Sequence, residues 1–74
     1  MEFKYNPDDF DNDEDKGYLK EMFICAYDSV EKGDEVGFAI YRLHVLAELK
    51  IWWKSGIIAK DYADEIAEYL WRLM

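Results

Sequence analysis

The sequence contains few side chains that could carry out nucleophilic catalysis. There is one histidine, His44, and one cysteine, Cys25, with two serines, Ser29 and Ser55, and no threonine. A nucleophile needs a neighbouring base, and that base needs a third group to orient it. Neither Cys25 nor His44 has such a third partner in the sequence pattern. We therefore predict no catalytic residues and a protein that is not an enzyme.

The acidic residues near the N-terminus partly match a calcium-binding loop. Asp9, Asp11 and Asp13 have the spacing of the first three ligands of an EF-hand. The sixth position of that loop requires glycine but is Glu14, and the twelfth requires glutamate but is Lys20. A zinc site would need a second histidine or cysteine at ligand spacing. We therefore predict no metal site and no cofactor.

The composition excludes several classes of protein. The chain has 74 residues, 17 of them acidic and 9 basic, for a formal net charge of −8. This length allows one domain, and the negative charge argues against direct binding to nucleic acid. The single cysteine cannot form an internal disulfide, and no leader or membrane-spanning segment is visible. We expect a cytoplasmic protein that has no membrane partner.

The negative charge is concentrated at the N-terminus. Residues 1–15 contain seven acids and one base, whereas residues 16–74 contain ten acids and eight bases. We therefore divide the chain into an acidic N-terminal arm, 1–15, and a helical domain, 16–74. Blocks of like charge usually stay solvated, but this arm also contains aromatic residues. Two alternatives follow for the arm: it folds back onto the domain, or it waits for a partner.

Apolar residues at spacings of three and four predict three helices. Their expected ranges are about 16–32, 35–54 and 60–73. Gly33 and Gly56 are suited to ending the first two helices, and Asp34 is a good N-cap for the second. Because short connections make consecutive helices antiparallel neighbours, we predict an all-α fold, a small three-helix antiparallel bundle with an acidic N-terminal arm.

The second helix is apolar around most of its circumference, which predicts burial by neighbours on two sides. We expect one stripe to form its main buried face, consisting of Val36, Ala39, Ile40, Leu43, Leu46, Ala47 and Trp53. A second set would widen that face, consisting of Phe38, Val45, Leu49 and Trp52.

Four acidic residues of the third helix lie on one face. Asp61, Asp64, Glu65 and Glu68 are spaced i, i+3, i+4 and i+7. Like charges at these spacings repel each other and destabilise a helix. One explanation is solubility, opposite an apolar stripe. The other is binding to a basic surface of a protein partner, together with the acids of the arm: Asp11, Asp13, Glu14 and Asp15.

The three tryptophans predict an apolar contact. Trp52 and Trp53 are adjacent on a helix and point about 100° apart, so both cannot face one core. Trp71 lies off the apolar stripe of the third helix. At least one of the three should be exposed, and we expect Trp52 or Trp71 to anchor a partner.

These features favour a binding function. We predict a non-enzymatic, small acidic regulator or inhibitor that binds a protein with a basic surface. A more specific hypothesis is a nucleic-acid (DNA) mimic of the type found in phages and mobile elements. The alternative is a structural or adaptor bundle of unknown role that self-associates, forming a homodimer through the tryptophan patch.

Overall fold

The computed structural model describes residues 2–11 and 17–74. In these ranges a short 3-10 helix, η1 (Pro7–Phe10), precedes three α-helices: α1 (Tyr18–Lys32), α2 (Glu35–Lys54) and α3 (Lys60–Arg72). The described ranges contain no strand. The prediction of an all-α, three-helix fold is confirmed. Lys16, the expected start of the first helix, lies outside the described residues.

A two-residue turn connects α1 to α2. Gly33 ends α1 with a φ of 71°, a left-handed conformation that favours glycine, and its N–H lies within hydrogen-bonding reach of the Ser29 and Val30 carbonyls. The Asp34 carboxylate then accepts a hydrogen bond from the Gly37 N–H at 2.9 Å and caps α2. Because this turn is so short, α1 packs directly along α2.

The connection from α2 to α3 is longer and its second helix is less well capped. Gly56 has a φ of 79°, and the Ile57 N–H donates to the Trp52 carbonyl at 2.9 Å. α3 then begins after Ala59, which has no side-chain oxygen to accept a hydrogen bond from the first turn. α3 packs against α2, and this arrangement is consistent with the expected antiparallel order.

Residues 2–11 pack against the helices and complete the core. No Cα atom of α1 lies within 8 Å of a Cα atom of α3, although both helices are fully described. The Phe10 side chain is almost fully buried and stacks on Phe23 of α1, with 4.5 Å between the ring centroids. The same ring lies 6.4 Å from Trp52 of α2 and 6.4 Å from Tyr62 of α3. One side chain of the arm therefore contacts all three helices.

Hydrogen bonds also attach the arm to α1 and α3. The Tyr27 hydroxyl donates to the Tyr5 carbonyl at 2.9 Å, and the Lys4 N–H donates to the Tyr69 hydroxyl at 2.9 Å. The Phe3 ring stacks on Tyr27 with 3.8 Å between centroids. Of the two alternatives for the arm, folding back is the one found for residues 2–11.

The core reverses our expectation for α2. The buried apolar residues of this helix are Phe38, Val45, Leu49 and Trp52, the set that we expected only to widen the stripe. Val36 is 73% exposed and Leu43 is 67% exposed, so the expected main stripe is wrong for these residues. The physical reason is that Phe38 and Trp52 lie on the other side of α2, in the core cluster that they form with residues of α1, α3 and the arm.

Candidate functional site

The acidic residues predicted on α3 are exposed and share one face. We call Asp61, Asp64, Glu65 and Glu68 the acidic ridge, and all four are exposed. The buried residues of the same helix are Ala63, Ile66 and Leu70, which follow the helical period on the opposite face. α3 is therefore a strongly amphipathic helix whose apolar face fixes the orientation of the ridge.

Two basic residues of α3 partly neutralise the ridge. Lys60 Nζ lies 3.0 Å from Asp64 Oδ2, and the Arg72 guanidinium pairs with Glu68. Both pairs have the i,i+4 spacing and exposed side chains, so each contributes a few tenths of a kcal/mol at most. Asp61 and Glu65 form no ion pair with a described residue. We did not predict these two pairs from the sequence, although their i,i+4 spacing was a sufficient signal.

The charge density of the ridge is low compared with that of nucleic acid. α3 contains four acids and two bases, for a formal net charge of −2. From Lys60 to Arg72 the helix extends about 18 Å, and a DNA duplex of that length carries about ten negative charges. The ridge alone therefore falls well short of the charge density of a nucleic acid.

The acids of the arm have a different environment. Lys20 Nζ of α1 lies 3.2 Å from Asp8 Oδ1 and 3.4 Å from Asp11 Oδ2. Hydrogen bonds to Asp8 and then to Asp11 raise the pKa of the Lys20 ammonium group. Asp11, which we expected to bind a partner, is thus held against α1. The other expected arm residues, Asp13, Glu14 and Asp15, lie outside the described residues.

Only one of the two expected tryptophan anchors is accessible. Trp52 is 5% exposed and lies in the core beside Phe10, so its assignment as a partner anchor is wrong. Trp71 is 59% exposed, which confirms that at least one tryptophan is exposed. The Arg42 guanidinium of α2 lies 3.6 Å from the Trp71 ring centroid in a cation–π contact. Trp53 is half-buried, with the Lys60 ammonium 5.7 Å from its ring centroid.

The residues considered as candidates for catalysis or metal binding do not form a common site. His44 is exposed, and its Nδ1 atom lies 3.0 Å from the Tyr18 hydroxyl. Cys25 is a free, half-buried thiol on α1. In residues 2–11 and 17–74, no group of three or more histidine, cysteine, aspartate or glutamate side chains is placed to hold a metal ion. An open groove of about 170 Å³ between α2 and α3 is smaller than most small-molecule sites.

A second exposed surface lies on α2 and includes four residues of the stripe that we expected to be buried: Val36, Ile40, Leu43 and Ala47. We call five residues of α2 the α2 outer face: Val36, Ile40, Leu43, Ala47 and Ile51, all of them exposed. They follow one another at spacings of four, three, four and four residues, which places them along one side of the helix. This face is apolar, in contrast to the acidic ridge.

No helix in the described part of the chain is both long enough and apolar enough to cross a membrane. Comparison with known proteins finds no matching family model, no matching curated protein and no matching solved structure.

Proposed function

We propose that this protein is a non-enzymatic, acidic regulator that binds a basic surface of a protein partner through the acidic ridge of α3. The observation that carries this proposal is the exposure of four carboxylates on one face of a helix whose other face is buried. Ile66 and Leu70 have no exposed surface, so the helix cannot rotate without opening the core. A ridge that is already ordered loses little conformational entropy on binding.

Electrostatics supports a basic partner. The net charge of −8 attracts a basic surface over a distance and speeds association. On contact, basic groups of the partner would replace Lys60 at Asp64 and Arg72 at Glu68. Those internal pairs are exposed and weak, so they are a small barrier to exchange. Asp61 and Glu65 are available without any exchange among the described ion pairs.

Trp71 is suited to be the apolar anchor of the same contact. Its ring is exposed near the C-terminal end of α3, and Arg42 covers part of it. Tryptophan and arginine are enriched among the residues that dominate binding energy at protein interfaces. A partner that docks on the ridge and on Trp71 would contact α3 along most of its length.

The more specific form of the proposal is inhibition by nucleic-acid mimicry, of the type found in phages and mobile elements. It requires that the basic surface of the partner is a nucleic-acid-binding groove. Because α3 has a net charge of only −2, a mimic would need further carboxylates from the rest of the chain. Competition between this protein and DNA or RNA for the partner distinguishes mimicry from simple binding.

Affinity capture with matched variants tests the proposal. The intact chain is immobilised, exposed to a lysate of its source cell, and compared with a ridge variant that carries Asp61→Asn, Asp64→Asn, Glu65→Gln and Glu68→Gln. The control variant loses four exposed carboxylates elsewhere, through Glu2→Gln, Glu21→Gln, Asp28→Asn and Glu31→Gln. Both variants have the same formal net charge, and circular dichroism checks that both are folded.

We expect the ridge variant to bind the captured partner at least about tenfold more weakly, and the control to bind nearly as well as the wild type. Binding as tight as that of the wild type by both variants would show that the ridge only keeps the protein in solution. A proportionate loss in both would show that net charge, and not the ridge, determines binding.

A further inference from the structure

We propose that the α2 outer face is the interface through which two copies of this chain form an antiparallel dimer. The face extends from Val36 to Ile51, about 22 Å along the helix. Val36, Leu43 and Ile51 are all more than half exposed. Protein surfaces rarely expose a long contiguous apolar patch unless it binds another molecule. The core side of α2, with Phe38 and Trp52, points the other way.

The spacing of the face is suited to another helix. Val36, Ile40, Leu43 and Ala47 are separated by four, three and four residues, the repeat that forms the seam of paired helices. Such a seam needs a partner helix with an apolar stripe of similar length. A second copy of α2 provides one of identical length.

The charges around the face favour a second copy in the antiparallel direction. The face begins beside the exposed acid Glu35 and ends beside the exposed bases Lys50 and Lys54. None of these three side chains forms an ion pair with a described residue. An antiparallel copy places the acidic start of one helix beside the basic end of the other, and it also opposes the two helix dipoles. A parallel copy would bring like charges together.

One register of the two antiparallel helices pairs the apolar residues with each other and also brings the opposite charges close together. When Val36 lies opposite Ile51 of the copy, Ile40 lies opposite Ala47, so a large side chain meets a small one. Leu43 then lies beside its own copy, next to the two-fold axis. In this register Lys50 and Lys54 each come within one helical turn of Glu35 of the copy. The same patch serves both protomers, as a two-fold interface requires.

Sedimentation equilibrium of matched variants tests the interface. Ile40→Glu places a charge in the α2 outer face, where Ile40 is 51% exposed, and Ile24→Glu makes the same change on α1, where Ile24 is 42% exposed. Because both positions are on the surface, both variants should fold, which circular dichroism checks. We expect the wild type and Ile24→Glu to dimerise, and Ile40→Glu to dimerise at least about 30-fold more weakly.

Two outcomes would overturn this interface. One is a wild-type chain that stays monomeric up to millimolar concentration. The other is an equal loss of dimer in Ile24→Glu and Ile40→Glu, since the contact would then not be specific to α2.

Disulfide trapping tests the antiparallel direction. In a Cys25→Ser background, Leu43→Cys and Val36→Cys are compared under a mild oxidant. In the proposed register the two copies of Leu43 are adjacent, whereas the two copies of Val36 are about 22 Å apart along the axis, too far for a disulfide. We expect rapid crosslinking at 43 and little at 36. Crosslinking at both positions would indicate a parallel dimer, and no crosslinking at 43 would exclude the register; either result overturns the proposal.

Discussion

The Tyr27 side chain makes several of the contacts that hold the N-terminal arm against α1. It donates to the Tyr5 carbonyl at 2.9 Å, and its ring packs against Phe3 and Phe23. Burial raises the pKa of the Tyr27 phenol well above its usual value near 10, with a smaller contribution from Tyr69. Burial also raises the pKa of Tyr62.

The pH dependence of stability follows from the raised pKa of Tyr27. The folded state favours the neutral phenol. Tyr27 therefore contributes its full stabilisation of the folded state below about pH 10, which is the pKa of tyrosine in the unfolded chain. This stabilisation is lost as the pH rises above that value. Tyr27→Phe should cost about 1 kcal/mol near neutral pH through the lost hydrogen bond. It should also lose less further stability than the wild type on going to about pH 11.

Urea unfolding followed by circular dichroism at the two pH values measures both effects. If the difference between Tyr27→Phe and the wild type is the same at both pH values, ionisation of Tyr27 does not contribute to alkaline unfolding.

The burial of the three tryptophans could be predicted only in part from the sequence. Helical geometry was sufficient to predict that Trp52 and Trp53 cannot share one direction, and that at least one tryptophan is exposed. It could not predict that Trp52 is the buried one, because that depends on Phe10, which lies 42 positions earlier in the sequence. The exposure of the ridge, by contrast, follows from spacing within α3 alone.

Among the helices, α3 has an N-cap position at which a substitution should increase stability. Ala59 has a φ of −71° and a ψ of 146°, the extended conformation of an N-cap residue, but it offers no side-chain acceptor. Ala59→Ser should therefore stabilise the protein by about 1 kcal/mol. Asp34→Ala, which removes the existing cap of α2, should destabilise it by a similar amount. Thermal or urea unfolding compares the two; a destabilising Ala59→Ser would contradict the assigned cap geometry.

The arm is part of the fold, and substitution of Phe10 tests how much the arm contributes to the stability of the protein. Truncation of a buried phenylalanine costs about 3–5 kcal/mol, and a domain of this size has about that much net stability. Phe10→Ala should therefore leave a large fraction of the chain unfolded at 25 °C, as seen by circular dichroism. Glu31→Ala is the control, because Glu31 is exposed on α1 and forms no ion pair with a described residue, so its truncation should change stability by less than about 0.5 kcal/mol. A cooperatively folded Phe10→Ala that loses less than about 1 kcal/mol would show that the arm is dispensable.

Features that depend on neighbouring residues could be predicted from the sequence, whereas features that depend on long-range contacts could not. The helices and their ends could be predicted because Gly33 and Asp34 act on their immediate neighbours. The buried face of α2 could not, because both of its sides are apolar and the choice depends on where α1, α3 and the arm lie. The docking of the arm depends on contacts such as Lys4 with Tyr69, which have no periodic signature.

In the whole molecule, the two proposed binding surfaces differ in the physical interaction on which they would depend. The acidic ridge would bind by charge, whereas the α2 outer face would bind mainly by burial of apolar side chains. They lie on different helices, so a dimer formed through α2 would carry two ridges. A dimeric regulator would then bind a partner with paired basic sites more tightly than a monomer would, through effective concentration.

Higher ionic strength should therefore weaken partner binding through the ridge but should not weaken the dimer. Raising salt from 0.1 M to 1 M shortens the Debye length from about 10 Å to about 3 Å. Partner binding through the ridge should weaken by about tenfold or more, since it depends on attraction between opposite charges. The dimer should be unchanged or stronger, because salt screens the repulsion between two chains that each have a net charge of −8. In the proposed dimer, pairs between Glu35 of one copy and Lys50 or Lys54 of the other would be exposed, so they would contribute little and would not reverse this trend.

Sedimentation equilibrium for the dimer and a binding titration for the captured partner, both run over this salt range, measure the two responses. Ile40→Glu separates them, because this variant should lose the dimer and retain partner binding with its full salt dependence. Partner binding that does not respond to salt would exclude the ridge as the contact. A dimer that dissociates as salt rises would show that its stability comes from the charges at the ends of α2, because the burial of Val36, Leu43 and Ile51 would not weaken under those conditions.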